Sequence, residues 1–251
     1  MNRIALITGG SRGLGRSMAL ALAGKGIDVV ITYHSQEAEA AKVVAAIEAQ
    51  GRKGAALQLD VGDSKRFPAF VETLQATLIK RFGAQKLNIL VNNAGTGLSA
   101  PFAQTTEEKF DQLVNEHLKA PYFLTQRLLP VLEDGARILN VSSGLARMTL
   151  PGSSAYGALK AAVETLTRYQ AKELGARKMT VNVVAPGAVA TDFNGGHVRD
   201  NAQLQAMLLP GIALGRIGMP EDIGPAVAAL VSEELAWMTA QRIELSGGQN
   251  L

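Results

Sequence analysis

Three side chains in the stretch "NVSSGLARMTLPGSSAYGALK" could act together on one small molecule. Tyr156 and Lys160 stand four residues apart, which puts a phenol and an ammonium on one face of a helix. By itself such a pair is an ordinary helix surface. It gains weight because Ser143, thirteen residues before the tyrosine, directly follows an apolar, strand-like run. Nearer the start, "LITGGSRGLGRSMALALAGKG" sets Gly9, Gly13 and Gly15 between an aliphatic run and an amphipathic one. Strand, glycine turn and helix in that order leave free backbone N–H groups at a helix N-terminus, an anion site that a pyrophosphate approaches closely. The spacing Gly-x-x-x-Gly-x-Gly is not the commoner dinucleotide fingerprint, and a glycine-rich turn alone is also a plain loop.

Groups so far apart in sequence need a frame to bring them together. Strand-like runs recur at residues 4–8, 28–33, 54–60, 88–92, 137–142, 180–184 and 241–245, and most gaps between them carry a helical period. The alternation predicts an α/β fold with a doubly wound sheet of seven mainly parallel strands, helices on both faces and right-handed crossovers. No repeat or linker divides residues 1–251, so one domain is expected. At this length a chain buries roughly three quarters of its unfolded surface. With 47% apolar but only 5% aromatic residues, the core must be built from Ala, Val, Leu and Ile, as suits parallel strands covered on both sides. Ligands of such sheets sit beyond the carboxyl ends of the strands. That rule selects Gly9 to Gly15, Tyr33 to Ser35, Asp60 with Val61, "NNAG" from Asn92, Ser142 with Ser143, and "PGAVAT" from Pro186.

Composition narrows the function. Net charge is +3 with Lys and Arg scattered, which argues against a nucleic-acid surface. The absence of cysteine excludes disulfides, thiolate metal sites and a cysteine nucleophile. His34, His117 and His197 lie far apart, and no metal is expected. Five apolar residues before the first glycines are too few for a signal-peptide core, and no stretch is long and apolar enough to span a membrane. A soluble, cytoplasmic protein is expected.

Taken in order, "TGGSRGLG" at 8–15, Asp60-Val61, "NNAG" at 92–95, Asn115, Ser143, "YGALK" at 156–160 and "PGAVAT" at 186–191 resemble the short-chain dehydrogenase/reductase family, Tyr-x-x-x-Lys type, over nearly the whole chain. The resemblance implies a Rossmann-like fold and a set of roles. Tyr156 would be the general acid in carbonyl reduction, or the base in reverse. Lys160 would lower the phenol's pKa from its ordinary value near 10 and hold the nicotinamide ribose. Ser143 would hydrogen-bond the substrate oxygen, and Asn115 would support a water linking Lys160 to solvent. Gly9, Ser11, Arg12, Gly13, Leu14 and Gly15 would cradle the pyrophosphate. Asp60 and Val61 would meet the adenine, Asn92, Ala94 and Gly95 would pack under the cofactor, and Pro186, Gly187, Val189 and Thr191 would orient the carboxamide.

An NAD site needs an acid at the end of the second strand, and Tyr33 stands there instead. Arg12, His34 and Ser35 could meet a 2′-phosphate, so NADP(H) is expected over NAD(H). The reading that results is NADPH-dependent reduction of a ketone or 3-oxoacyl carbonyl to a secondary alcohol. The alternatives are an NAD(P)-dependent secondary-alcohol dehydrogenase and a catalytically silent dinucleotide-sensing regulator. Arg177 and Lys178 would suit an acidic acyl carrier, whereas a turn at Glu133-Asp134 would not. Residues 191–218, with Phe193, Met207, Leu208 and Leu209, are expected to form the substrate lid. A homotetramer is expected through helices at 107–132 and 154–174 and the C-terminal "RIELSGGQNL".

Overall fold

All seven expected strands form one sheet in the computed structural model, which describes residues 3–251. They are β1 (Ile4–Ile7), β2 (Asp28–Tyr33), β3 (Gly54–Gln58), β4 (Leu87–Asn92), β5 (Leu132–Val141), β6 (Thr180–Pro186) and β7 (Arg242–Leu245). Their spatial order is β3-β2-β1-β4-β5-β6-β7, and every pairing between them is parallel. The order reverses between β1 and β4, and the crevice at that switch point is where a doubly wound sheet takes its ligand.

The helices are α1 (Gly13–Gly24), α2 (Glu37–Ala49), α3 (Phe67–Thr77), α4 (Glu107–Val114), α5 (Ala120–Leu128), α6 (Ser154–Leu174), α7 (His197–Asp200), α8 (Ala202–Leu208) and α9 (Pro220–Leu230). Alternation along β1 shows why both faces are covered. Ile4 and Leu6 meet Phe67 and Leu74 of α3 and Leu124 of α5. Ala5 and Ile7 turn the other way, onto Met18 and Leu22 of α1, Val43 of α2 and Val227 of α9. Two buried layers therefore clamp the sheet, and the polar groups that could meet a ligand gather at the strand ends.

Most strand ends differ from the sequence reading by a residue or two, and three boundaries differ in ways that bear on the site. β3 ends at Gln58, so Asp60 and Val61 lie in the loop that follows it. The helix expected over 107–132 is α4, a π turn at Asn115–Lys119, α5 and a 3-10 turn at Leu129–Val131. β5 begins at Leu132 and takes in Glu133 and Asp134, which were expected as a turn. Arg177 pairs with Asp134 at 2.7 Å and also donates to the carbonyls of Leu129 and Leu132. Arg177 and Lys178 immediately precede β6, at the amino ends of the strands. They are thus across the sheet from the ligand edge, where the sequence reading had them beside a carrier.

Candidate active site

The glycines after β1 are explained by what a side chain would strike. A Cβ on Gly15 would lie 2.2 Å from the Gly9 carbonyl oxygen, and one on Gly9, whose φ is +67°, would lie 2.9 Å from Ala94 Cα. The loop is closed on itself and pressed onto the end of β4. Thr8 Oγ1 accepts from the N–H groups of Asn93 and Ala94, while Asn93 Nδ2 donates to the carbonyls of Thr8 and Gly9. α1 starts at Gly13 with no side-chain cap and no acid in its first turn, so its N–H groups stay open to an anion. Bare backbone, an uncapped helix and an exposed Arg12 beside it fit a dinucleotide pyrophosphate. Thr191, buried after β6, faces Gly13 across the cleft, 3.6 Å from where a Cβ would stand.

The other expected cofactor residues fall on the same edge. Tyr33, His34 and Ser35 follow β2 or end it, and His34 Nε2 reaches Asp60 at 3.7 Å. Burial and the negative charge of Glu37 push the Tyr33 phenol up. Asn92 ends β4 and donates to Thr125 at 3.0 Å and Asn140 at 2.8 Å, tying the centre of the sheet together. Gly187 follows β6, and Gln249 accepts from the Ala188 N–H at 2.9 Å, so the C-terminal segment holds the Pro186-to-Thr191 loop. Val189 bridges to Gly218 at the far end of the lid.

α6 brings the catalytic candidates together at the end of β5. Ser143 follows β5 and caps a short turn, its Oγ accepting from Leu145 N–H at 3.2 Å. Lys160 is buried; its Nζ donates to the Val141 carbonyl at 2.8 Å and lies 5.5 Å from the centre of the Tyr156 ring. Ser142 Oγ fixes the register of helix against strand by bonding the Lys160 carbonyl at 3.2 Å and Glu164 at 2.8 Å.

Burial sets the protonation of this group. It pushes the Tyr156 phenol above its ordinary value, and the Ser143 hydroxyl pulls it partly back. Lys160 is drawn down to about 7 by burial, with Glu116 opposing. The expected lowering of the phenol by Lys160 is not what the structure shows. The ammonium lies over the ring and donates to a carbonyl, so desolvation governs, and Tyr156 holds its proton.

Asn115 is not brought to this group. It lines an open cleft with His34, Asp60 and Gln112. The position beside Lys160 belongs to His117, buried at 3% exposure, whose ring stands edge-on to Tyr156 with centroids 5.1 Å apart. Two residues along a helix is a rotation of about 200°, so one helix cannot turn both inward.

Comparison with known proteins agrees with this geometry. The family described as Enoyl-(Acyl carrier protein) reductase matches residues 9–250. The hydroxynaphthalene reductase-like protein Arp2 of Metarhizium brunneum is 37% identical over 98% of this chain and 94% of its own length. A 3-oxoacyl-[acyl-carrier-protein] reductase of Staphylococcus aureus is 34% identical over 99% and 98%. The solved structure of an angucycline C-6 ketoreductase with bound NADP superimposes with a TM-score of 0.93, at 37% identity, over 99% of this chain and 95% of that one. The chain belongs to the short-chain dehydrogenase/reductase family. It is an oxidoreductase.

In this short-chain dehydrogenase/reductase the segment after Thr191 folds over the phenol. The Phe193 ring lies 5.9 Å from that of Tyr156, tilted by 54°, and a Cβ on Gly97 would meet it at 2.8 Å. Arg199 ties the segment down by pairing with Asp192 and Asp200. The sequence reading missed Thr8, Glu116 and His117; Asn93 it had within the "NNAG" at the ligand edge. The signal for His117 was present: Leu113, Ala120 and Leu124 recur around it at helical spacing and are buried, whereas Asn115 falls on the stripe of exposed Asp111, Lys119 and Tyr122.

Proposed function

We propose that this protein reduces a ketone to a secondary alcohol with NADPH, with Tyr156 as the general acid. The observation that carries the reading is the grouping of half-buried Tyr156 with buried Lys160 beside Ser143, at the strand ends that also hold the glycine cradle. The bound nicotinamide would supply hydride. Gly9 to Gly15 and Thr191 would grip the cofactor, Lys160 its ribose and Asp60 with Val61 its adenine. Ser143 would hold the carbonyl oxygen toward the Tyr156 hydroxyl. A protonated phenol is the form that donates in reduction, and the same group acts as base in alcohol oxidation, so the supply of reduced or oxidised cofactor sets the direction. The assembled catalytic group speaks against a silent dinucleotide sensor.

Arg12 is exposed and, among the described residues, pairs with no acid, and no acid ends β2, which together favour NADP(H). A charge-assisted contact of about 1.5–3 kcal/mol corresponds to roughly ten- to a hundredfold in affinity. Phe193 beside Tyr156 favours an apolar or aromatic ketone, in keeping with the hydroxynaphthalene and angucycline reductases above. A carrier-bound 3-oxoacyl substrate is the second reading, supported by likeness to the Staphylococcus aureus reductase. Residues 1–251 would act as one domain, with 191–218 as its lid, in a cytoplasmic homotetramer. Among the described residues no helix is long and apolar enough to cross a membrane.

The test is to mix purified protein and NADPH with aromatic ketones, aliphatic ketones and 3-oxoacyl thioesters, and to follow the nicotinamide absorbance. Consumption of NADPH with any ketone supports the reading. No turnover in either direction, with the cofactor bound, would leave the sensor.

A further inference from the structure

After β7 the chain turns sharply twice. Gly247, Gly248 and Asn250 all take left-handed backbone, at φ of +63°, +75° and +51°, and Gln249 stands among them. The turns aim its amide at the loop after β6. Gln249 Oε1 accepts from the Ala188 N–H at 2.9 Å, while its own backbone N–H donates to Ser246 Oγ at 3.2 Å. The seat is close-fitting: a Cβ on Gly187 would lie 2.7 Å from Gln249 Oε1 and 2.7 Å from Ser246 Cβ. Glycine at 187 is what lets the loop come down onto the glutamine.

That loop is the one expected to meet a nicotinamide. Two of its N–H groups are committed, Ala188 to Gln249 and Ala190 to the Gly218 carbonyl at 2.9 Å. Between them the Val189 N–H has no protein acceptor among the described residues, which leaves it for a ligand. The same hook reaches the loops on either side. Asn250 N–H donates to the Gly211 carbonyl at 2.7 Å and Gln249 bridges Ile212, near the end of segment 191–218. Asn250 Nδ2 lies 3.2 Å from Met148 Sδ, in the loop that begins at Ser143. The Gln249 side chain can therefore be changed while the backbone ties of the hook stay in place.

We infer that Gln249 is a positioning residue for hydride transfer, fixing the Ala188 peptide so that the loop holds the nicotinamide at the right distance and angle to the ketone. The inference rests on the reductase reading. Gln249 acts through Ala188 and touches neither cofactor nor substrate. Hydride passes only between atoms held close and aligned, and a shift of about 1 Å can cost a hundredfold in rate. Without its acceptor the Ala188 N–H would be left unpaired, and the loop would move to satisfy it.

Gln249→Leu nearly keeps the volume and removes the acceptor. We expect kcat to fall about tenfold or more, with NADPH affinity and the ketone KM within about threefold of wild type, because the pyrophosphate and adenine contacts are untouched. The kinetic effect of deuterium at the transferred position of NADPH should rise as hydride transfer becomes limiting. Bound NADPH without ketone gives a readout apart from turnover: the emission lifetime of its nicotinamide should shorten toward that of free cofactor as the ring gains freedom. Gln249→Glu keeps an acceptor oxygen at the same reach and should recover most of the lifetime. Wild-type turnover of a ketone tests the reductase reading separately, since the lifetime does not depend on it. A Gln249→Leu protein that binds NADPH with the wild-type lifetime would overturn the inference, and so would a fall in kcat with an unchanged isotope effect. If Gln249→Leu does not fold, Gln249→Met decides by the same readouts, since its unbranched chain fits the same space.

Discussion

Tyr156 carries the chemistry because its surroundings let it keep a proton that it must give away once per turnover. Burial raises the phenol and only Ser143 offsets this, so the hydroxyl stays protonated at neutral pH. Tyr156→Phe removes that proton and little else. Turnover should fall by at least about a hundredfold, the scale of a lost general acid, while NADPH binds as before. Steady-state rates and a fluorescence titration check both halves; more than about a tenth of the rate surviving would remove Tyr156 from the acid role. His117 gives a second residue-scale prediction, in stability. The unfolded chain protonates this histidine near 6.5, and the folded chain holds it neutral down to about 3. Between those values the unfolded state binds the extra proton, so stability falls as pH drops through the window. His117→Gln should flatten that part of the melting-temperature profile against pH. An unchanged slope would mean that the ring is not held neutral. Tyr156, Lys160 and Ser143 were legible in the sequence because their spacing relative to a strand end is local. His117 was not read there, although its buried stripe was visible, because Asn115 two residues earlier matched a family pattern.

The elements were more legible than their junctions. Short aliphatic runs and period-3.6 patterns revealed all seven strands and the long helices, since the strands are buried on both faces and each long helix buries one. The π turn at Asn115–Lys119 left no mark on the pattern, because apolar residues continue on both sides of it. Arg177 and Lys178 lie at the opposite edge from the site because β6 runs parallel to its neighbours, a placement that follows from a parallel strand expected to start at Thr180 but was not drawn from it. The β1–α1 turn is the element on which cofactor binding depends most, and Gly15 is its tightest point. A methyl group 2.2 Å from the Gly9 carbonyl oxygen cannot be accommodated by side-chain motion, so the turn must open. Overpacking of this kind costs about 1–3 kcal/mol. Gly15→Ala should therefore weaken NADPH by about ten- to a hundredfold and lower the melting temperature. Calorimetric titration would show it; affinity within twofold of wild type would mean that the loop does not hold the cofactor as described.

On the scale of the whole molecule, two separate surfaces leave large apolar side chains in water. Phe110, Tyr122 and Tyr169 on α4, α5 and α6 are 42%, 47% and 64% exposed. Trp237, just before β7, is 99% exposed. β7 is also the last strand of the sheet, and an open strand edge invites pairing with another chain. Each such side chain is worth about 1.5–3 kcal/mol if covered, so either surface could sustain a two-fold contact. Two distinct two-fold contacts on one subunit close into a tetramer of dihedral symmetry. The wild type should accordingly scatter light as a tetramer at micromolar concentration. Tyr122→Glu combined with Tyr169→Glu should disrupt the helical contact and leave dimers joined through the C-terminal edge. Trp237→Glu should leave the complementary dimer, joined through the helices, and the three changes together should give a monomer. A wild type that scatters as a monomer would mean that these surfaces are not self-complementary. A tetramer that survives each set of changes would place its contacts elsewhere on the molecule.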